Sequence, residues 1–317
     1  SSIVNVYDTD NLSLQYNLRG HNERITNVDW HPSDQLPSVL VSSSADAKCI
    51  IWDCNRSVAY GSSSSGDDGG MELVAEPPNP IAGTLVGHQG VVSDCKFHPT
   101  GQYIATASHD YSWRLWDATT LQSVSSLSGD KGCNELLLQD GHNKELTSID
   151  IHPDGSLVAT ADAVGNVMMW DMRCGLMVAL FQGHIKKITN LEFHPCNGFQ
   201  FVTGGIDNMI RVWDIRKRKC SSCIPGHSNA ISHVGYSRKS GELLVSSSFD
   251  GDVKVWRTRD NVCINTLTTA NSRAVSGANM NNNAGKIMSC DMSTDERHLI
   301  SVSYDRSIKL WAHKSEF

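Results

Sequence analysis

Residues 87–117 read GHQGVVSDCKFHPTGQYIATASHDYSWRLWD, and this stretch holds every mark that recurs along the chain. It opens on Gly87-His88, turns at His98-Pro99, and closes on Trp116-Asp117 six residues after Asp110. Gly-His returns at Gly20-His21, Gly141-His142, Gly183-His184 and Gly226-His227. A tryptophan follows each of these histidines after 28 to 31 residues: Trp52, Trp116, Trp170, Trp213 and Trp256. A sixth unit ends at Trp311 without a Gly-His, and further His-Pro turns stand at His31-Pro32, His152-Pro153 and His194-Pro195. Five histidines in Gly-His pairs and four in His-Pro turns make nine of the thirteen, which removes most catalytic candidates. Self-similarity at such a period marks stacked supersecondary units, none of which can bury its own apolar face alone.

Within each unit, short alternating apolar runs separated by Gly, Pro, Asp and Ser turns predict three or four β-strands. With 317 residues, 39% of them apolar, the chain can bury a sizeable core, and repeat or all-β folds of this length form single units. No run of eighteen apolar residues is present, and the opening SSIVNVYD lacks the regions of a signal peptide, so a soluble protein is expected. The net charge of −7 gives bulk electrostatics no preference for nucleic acid. Ten cysteines are scattered, mostly in strand-like runs, and read as reduced thiols of a cytosolic or nuclear protein. Cys220 and Cys223 form a CxxC with no second pair to complete a zinc site, so no metal or cofactor is expected. Neither GxSxG, HExxH nor a phosphate-binding glycine loop occurs, and no enzyme is expected.

These marks resemble the WD40 family over nearly the whole chain, which implies an all-β propeller of radially packed four-stranded blades. In that family the Gly-His histidine, a strand-b Ser or Thr, the turn Asp and the strand-c Trp form one buried network. Carried over, the resemblance implies the sets His21/Ser44/Asp46/Trp52, His88/Ser108/Asp110/Trp116 and His227/Ser248/Asp250/Trp256. Three units depart. Beside His184, Asp207 and Trp213 the serine slot holds Gly205, and Ser303, Asp305 and Trp311 have no histidine. In ADAVGNVMMWD, residues 161–171, Val164 stands in the aspartate slot and Asp162 two residues earlier. With His142 and Trp170 kept, Asp162 or a water is expected to replace the missing partner of His142. Met168 also makes this unit more apolar where four of the other five have Arg or Lys.

IVNVYD followed by LSLQYNLRGH reads as strands c and d of one further unit. Seven blades are therefore favoured, the first incomplete in this chain. The alternative is six blades, with residues 11–18 as the outer strand of the last. Residues 1–317 are read as one propeller domain, interrupted by loop insertions at 55–83, 118–135 and 270–286. The order of SWRLWD, ELLLQDGH, HPDGSLVAT, WDMRCG, GHIKKITNLEFHP and DNMIRVWDIRKRKC is similar to the WD-repeat subunits of the U4/U6 small nuclear ribonucleoprotein, the pre-mRNA processing factor 4 group. That resemblance implies a non-catalytic nuclear scaffold in splicing. Its partners would be U4/U6 proteins of the pre-mRNA processing factor 3 type, with U4/U6 RNA reached indirectly or through local basic loops. The rival class is a substrate-recognition adaptor of a ubiquitin ligase or another multiprotein complex.

Loops after each Gly-His and the residue before each turn Asp are expected on one face. Asn22, Arg24, Gln89, His109, Lys144, Lys186, Ile206, Phe249 and Tyr304 are the candidate partner contacts, exposed aromatics beside cations being typical anchors. Phe249 and Tyr304 are equally compatible with plugging the rim of a channel. Arg216-Lys217-Arg218-Lys219 at a c–d turn could touch RNA phosphate or an acidic partner, though a solvated turn is the plainer reading. Trp113, in the place of Ile308 of the last unit, is expected in the core rather than stacked on a base.

Overall fold

The computed structural model describes residues 2–8, 13–33, 36, 38–57, 80–119, 135–268 and 285–312. The insertions expected at 55–83, 118–135 and 270–286 fall mostly at 58–79, 120–134 and 269–284, outside the described residues. The strands group into two compact units, residues 1–141 and 142–317.

The first unit opens with β1 (Ile3–Tyr7) and β2 (Leu14–Arg19), which pair antiparallel as the c–d hairpin read from IVNVYD. Two four-stranded antiparallel sheets follow. One runs β3 (Ile25–Trp30), β4 (Val39–Ser44), β5 (Lys48–Asp53), β6 (Ile81–Val86) in spatial order. The other holds β7 (Val92–Phe97), β8 (Tyr103–Ser108), β9 (Ser112–Asp117) and β10 (Glu135–Asp140), each beside the next.

The second unit repeats this plan three times and then stops short. Its sheets are β11 (Leu146–Ile151) to β14 (Met177–Gln182) through β12 (Leu157–Asp162) and β13 (Asn166–Asp171), then β15 (Ile188–Phe193), β16 (Gln200–Gly205), β17 (Met209–Asp214) and β18 (Lys219–Pro225). The third has β19 (Ile231–Tyr236), β20 (Leu243–Ser248), β21 (Asp252–Arg257) and β22 (Val262–Thr268). The last has β23 (Ile287–Met292), β24 (His298–Ser303) and β25 (Ile308–Ala312).

Sequence explains why each sheet is layered as it is. The second strands VLVSSS, YIATAS, LVATAD, QFVTGG and LLVSSS are buried along almost their whole length. They are accordingly built from small and β-branched residues rather than from strict alternation. The outer strands β10 and β14 alternate instead, because one face meets solvent. Between successive sheets lie apolar seams. In the first unit Leu18 packs with Leu40 and Trp52, and Ile51 and Leu85 pack with Val92, Phe97 and Ile104. In the second, Val167 and Met169 meet Leu191 and Phe193, Ile210 meets Val234, and Val253 meets Cys290. Trp113 is fully buried, as expected of a core residue. Cys49, Cys54, Cys95 and Cys290 are buried too, and burial pushes the Cys290 thiol up to about 12, which leaves it unreactive. Cys174, Cys196, Cys223 and Cys263 are exposed, against the expectation for strand-like runs, because outer strands and turns carry them.

Polar bonds cross the same seams. A carboxylate two residues before three of the four His-Pro turns accepts a backbone NH of the next sheet: Asp29 from Phe97 at 2.9 Å, Asp150 from Phe193 at 2.7 Å, Glu192 from Tyr236 at 3.2 Å. Three of the His-Pro histidines, His31, His152 and His194, lie against glycines of the next sheet, Gly101, Gly198 and Gly241. His31 Nε2 donates to the Gly101 carbonyl at 3.2 Å and His152 Nε2 to that of Gly198 at 2.7 Å.

Gly101 has φ of +75°, and a Cβ there would stand 2.3 Å from His31 Nε2. Gly101→Ala therefore suffers both left-handed strain and a clash. It should lose about 2 kcal/mol or more of stability in chemical denaturation, whereas Gly→Ala at a compatible site would stabilise.

Candidate functional site

Each Gly-His loop is fastened to the second and third strands of its own sheet by one directed chain of hydrogen bonds. In the sheet β3–β6, Trp52 Nε1 donates to Ser42 Oγ at 2.8 Å, Ser42 lies 2.7 Å from His21 Nε2, and His21 Nδ1 lies 3.0 Å from Asp46. Because an indole NH only donates, the hydroxyl accepts from it, and the same oxygen meets His Nε2. The same chain runs Trp116, Thr106, His88, Asp110 and Trp213, Thr203, His184, Asp207. It runs again through Trp256, Ser246, His227 and Asp250.

This geometry corrects the hydroxyl implied by the resemblance. Ser44, Ser108 and Ser248 do not join the histidine to the tryptophan; Ser42, Thr106 and Ser246, two residues earlier, do. Both positions face the same side of the strand, so alternation cannot separate them. Register decides: Trp52 stands opposite Leu40, and its indole reaches diagonally to Ser42. Ser44 instead bonds the Arg24 carbonyl and receives the Asp46 NH, closing the turn. Ser303 likewise caps its turn from Asp305 NH, while Ser301 serves Trp311 at 2.9 Å. A sequence signal did mark the right column. The residue ten before the tryptophan is Ser or Thr in all six units: Ser42, Thr106, Thr160, Thr203, Ser246 and Ser301. The eight-before column, with Asp162 and Gly205, is not uniform.

The departures now have physical accounts. Asp162 is buried and lies 3.4 Å from His142 Nδ1, while Thr160 links His142 Nε2 at 2.7 Å to Trp170 at 2.8 Å. The expected replacement of the missing aspartate by Asp162 is thus observed. Its Oδ1 also takes the NH groups of Val164, Gly165 and Asn166, all at 2.9 Å, so one carboxylate both closes the turn and holds the histidine. Burial alone would raise its pKa. Hydrogen bonds from His142, from the Asn166 backbone and side chain and from the Val164 NH outweigh that, bringing the carboxyl down to about 2. For Asp46, Asp110 and Asp250 the same contest between burial and histidine hydrogen bonds also ends below the ordinary range. At Gly205 a Cβ would come within 2.6 Å of Asp207 and 2.8 Å of His184, which explains the absence of a side chain there.

Because the chain fixes the Gly-His loop beside the second-to-third-strand turn, these two segments share one end of each sheet. The Asn22 NH bonds Asp46, the Gln89 NH bonds Asp110, and the His109 NH bonds the Val91 carbonyl. In the second unit Ile206 NH bonds the Lys187 carbonyl, Phe249 NH that of Ala230, and Tyr304 NH that of Lys286. Asn22, Arg24, Gln89, Lys144, Lys186, Ile206 and Tyr304 are exposed there, and His109 and Phe249 are half-buried. The Lys286 ammonium lies 5.9 Å above the Phe249 ring. Arg216, Lys217 and Arg218 sit at the other end of their sheet, between β17 and β18, with Lys219 opening β18; the Asp214 carboxylate caps the turn and the Arg216 guanidinium covers Phe199 at 4.1 Å. Lys186 and Lys187 therefore do not join them. Cys220 and Cys223 stand opposite Trp213 and Arg211 on β17, with the register shifting between them, and both are free thiols.

The model of the WD domain, G-beta repeat matches six segments: 12–53, 80–117, 133–171, 175–214, 218–257 and 263–312. The chain belongs to the WD40 repeat family. Among relatives, pre-mRNA-processing factor 19 of Oryza sativa subsp. japonica is 26% identical over 204 residues, covering 64% of this chain and 32% of that protein. A guanine nucleotide-binding protein subunit beta of Zea mays is 26% identical over 225 residues, 62% of this chain and 56% of it. U4/U6 small nuclear ribonucleoprotein PRP4 of Saccharomyces cerevisiae is 36% identical over 128 residues, 40% of this chain and 21% of that protein. The chain thus spans from about a fifth to just over half the length of these relatives.

Two predictions follow from the hydrogen-bonded chain. Ser42→Ala leaves His21 and Trp52 buried without the hydroxyl and should cost about 2 to 4 kcal/mol in denaturant titration, against about 1 kcal/mol for Ser44→Ala. Acid should act in two stages. His184, whose pKa burial lowers against the opposing pull of Asp207, contributes stability that is present above 6.5 and lost as pH falls past its folded value. Asp162 contributes stability that is complete above 3.8 and lost as pH falls through about 2. The melting temperature of Asp162→Asn should therefore depend less on pH than that of the wild type between about pH 5 and pH 2.

Proposed function

We propose that this chain is a non-catalytic protein-interaction scaffold of the U4/U6 small nuclear ribonucleoprotein, acting in the nucleus in pre-mRNA splicing. The observation that carries this reading is the 36% identity to yeast PRP4 over 128 residues, against 26% for the guanine nucleotide-binding subunit. Two features support a scaffold. The histidine–aspartate pairs that could suggest acid–base chemistry recur in successive sheets, each enclosed with a tryptophan and a hydroxyl, as structure requires and catalysis does not. The loops at the Gly-His end are meanwhile left exposed, with Asn22, Arg24, Gln89, His109, Lys144, Lys186, Ile206, Phe249 and Tyr304 as the proposed partner contacts. Proteins of the pre-mRNA processing factor 3 type are the proposed partners. Arg216 to Lys219, at the far end, form the proposed local contact for RNA phosphate or an acidic partner.

Affinity purification from the source cell, with sequencing of bound RNA and mass spectrometry of bound proteins, tests the reading. U4 and U6 RNA should co-purify with the wild-type chain. Recovery of ubiquitin-ligase subunits or of G-protein partners without small nuclear RNA would overturn it. Charge reversal of residues 216–219 should lower RNA recovery, and unchanged recovery removes the RNA contact while leaving the scaffold.

A further inference from the structure

The unit that lost its turn aspartate presents a surface that the other units lack. With the carboxylate moved back to Asp162 and turned inward on His142, the vacated position carries Val164, which is 48% exposed. The residue after the Gly-His histidine is Asn22, Gln89, Asn143 and Ser228 in four units, but Ile185 in the next sheet, and its side chain is 83% exposed. Ile206, at the following turn, is exposed as well.

These three aliphatic residues belong to one strip. Ala163 NH bonds the Glu145 carbonyl at 3.0 Å, and Ile206 NH bonds the Lys187 carbonyl at 2.9 Å. Between them Gly165, at φ +109°, lies so close to the next loop that a Cβ would stand 2.6 Å from the His184 carbonyl and 2.8 Å from that of Lys186. The strip therefore crosses from the sheet β11–β14 to the sheet β15–β18 without a gap in the backbone. Lys144 and Lys186 are exposed along it and Lys187 partly so, and no ion pair engages any of the three among the described residues. Glu145 adds one carboxylate, while Asp162 and Asp207 face inward on their histidines. Exposed aliphatic side chains bordered by unpaired cations complement a segment with the reverse pattern.

The geometry points to a docking strip for an acidic protein segment bearing aliphatic anchors, seated across Val164, Ile185 and Ile206 with its carboxylates on Lys144, Lys186 and Lys187. This deepens the scaffold reading by giving one of its contacts a chemistry, and rests on that reading only for its biological setting. Apolar anchors at the centre supply the affinity, and the lysines at the rim set orientation and salt dependence.

The test uses the purified chain and three short fluorescein-labelled peptides read by anisotropy. One carries a Leu-Ile pair between glutamates, the second has lysines for the glutamates, and the third has serines for Leu and Ile. The first should bind, more weakly as salt rises, and each of the other two about tenfold or more less tightly. Ile185→Ser should weaken the first peptide by about tenfold, and Lys186→Glu should weaken it while improving the lysine peptide. Ile185 is so exposed that its variant should keep the wild-type melting temperature, which confirms that the fold is intact. Equal binding of all three peptides, or wild-type binding by Ile185→Ser, overturns the strip. If that happens while U4 and U6 RNA still co-purify, the strip fails and the scaffold stands. Specific peptide binding without small nuclear RNA in the purification keeps the strip and removes the splicing setting.

Discussion

The hydrogen-bonded chain from tryptophan to hydroxyl to histidine to aspartate is the constraint that organises the five sheets that carry a Gly-His loop. Its members come from three separate segments: the Gly-His loop, the second strand and the third strand with its turn. Buried together, each must find its partner, because an unpaired polar group in that interior costs more than the bond contributes net. The loop is thereby held at one end of the sheet without a large apolar residue of its own. Asp162 shows how strict the requirement is. When the aspartate leaves its usual place, another carboxylate approaches from two residues away and still serves both the histidine and the turn.

The seams between sheets obey a second rule. Second strands are buried along almost their whole length and carry small residues, while carboxylates such as Asp29 and Asp150 satisfy the neighbouring backbone. Histidines at the His-Pro turns then press on glycines, Gly101 and Gly198 among them. With stability vested in repeated interior bonds, the loops at the Gly-His end are released from structural duty. Their side chains can vary from Asn22 to Ile185 at equivalent places without disturbing the fold. Variation of that kind allows one scaffold to present a different chemistry at each sheet.

Much of this was legible in the sequence because the repeat supplies its own comparison. Strand positions, the hairpin of IVNVYD, the buried Trp113 and the role of Asp162 all follow from marks in register. The network hydroxyl was misassigned because Ser42 and Ser44 lie on one face of the same strand. Period two is blind to that choice, and only the diagonal reach of an indole makes it. The apolar strip escaped notice for a related reason. Val164 and Ile185 have the composition of core residues, and nothing local says that they point outward or that Gly165 joins their loops.

The sequence by itself determined the all-β repeat, the partners available to each buried histidine and the family to which the chain belongs. Those properties depend on spacing and on which groups can donate or accept, both of which are written along the chain. The tertiary structure alone decided which histidines touch which glycines and which aliphatic side chains lie in solvent. Such choices depend on strand register and on the approach of segments distant in sequence, and a one-dimensional pattern does not contain those distances.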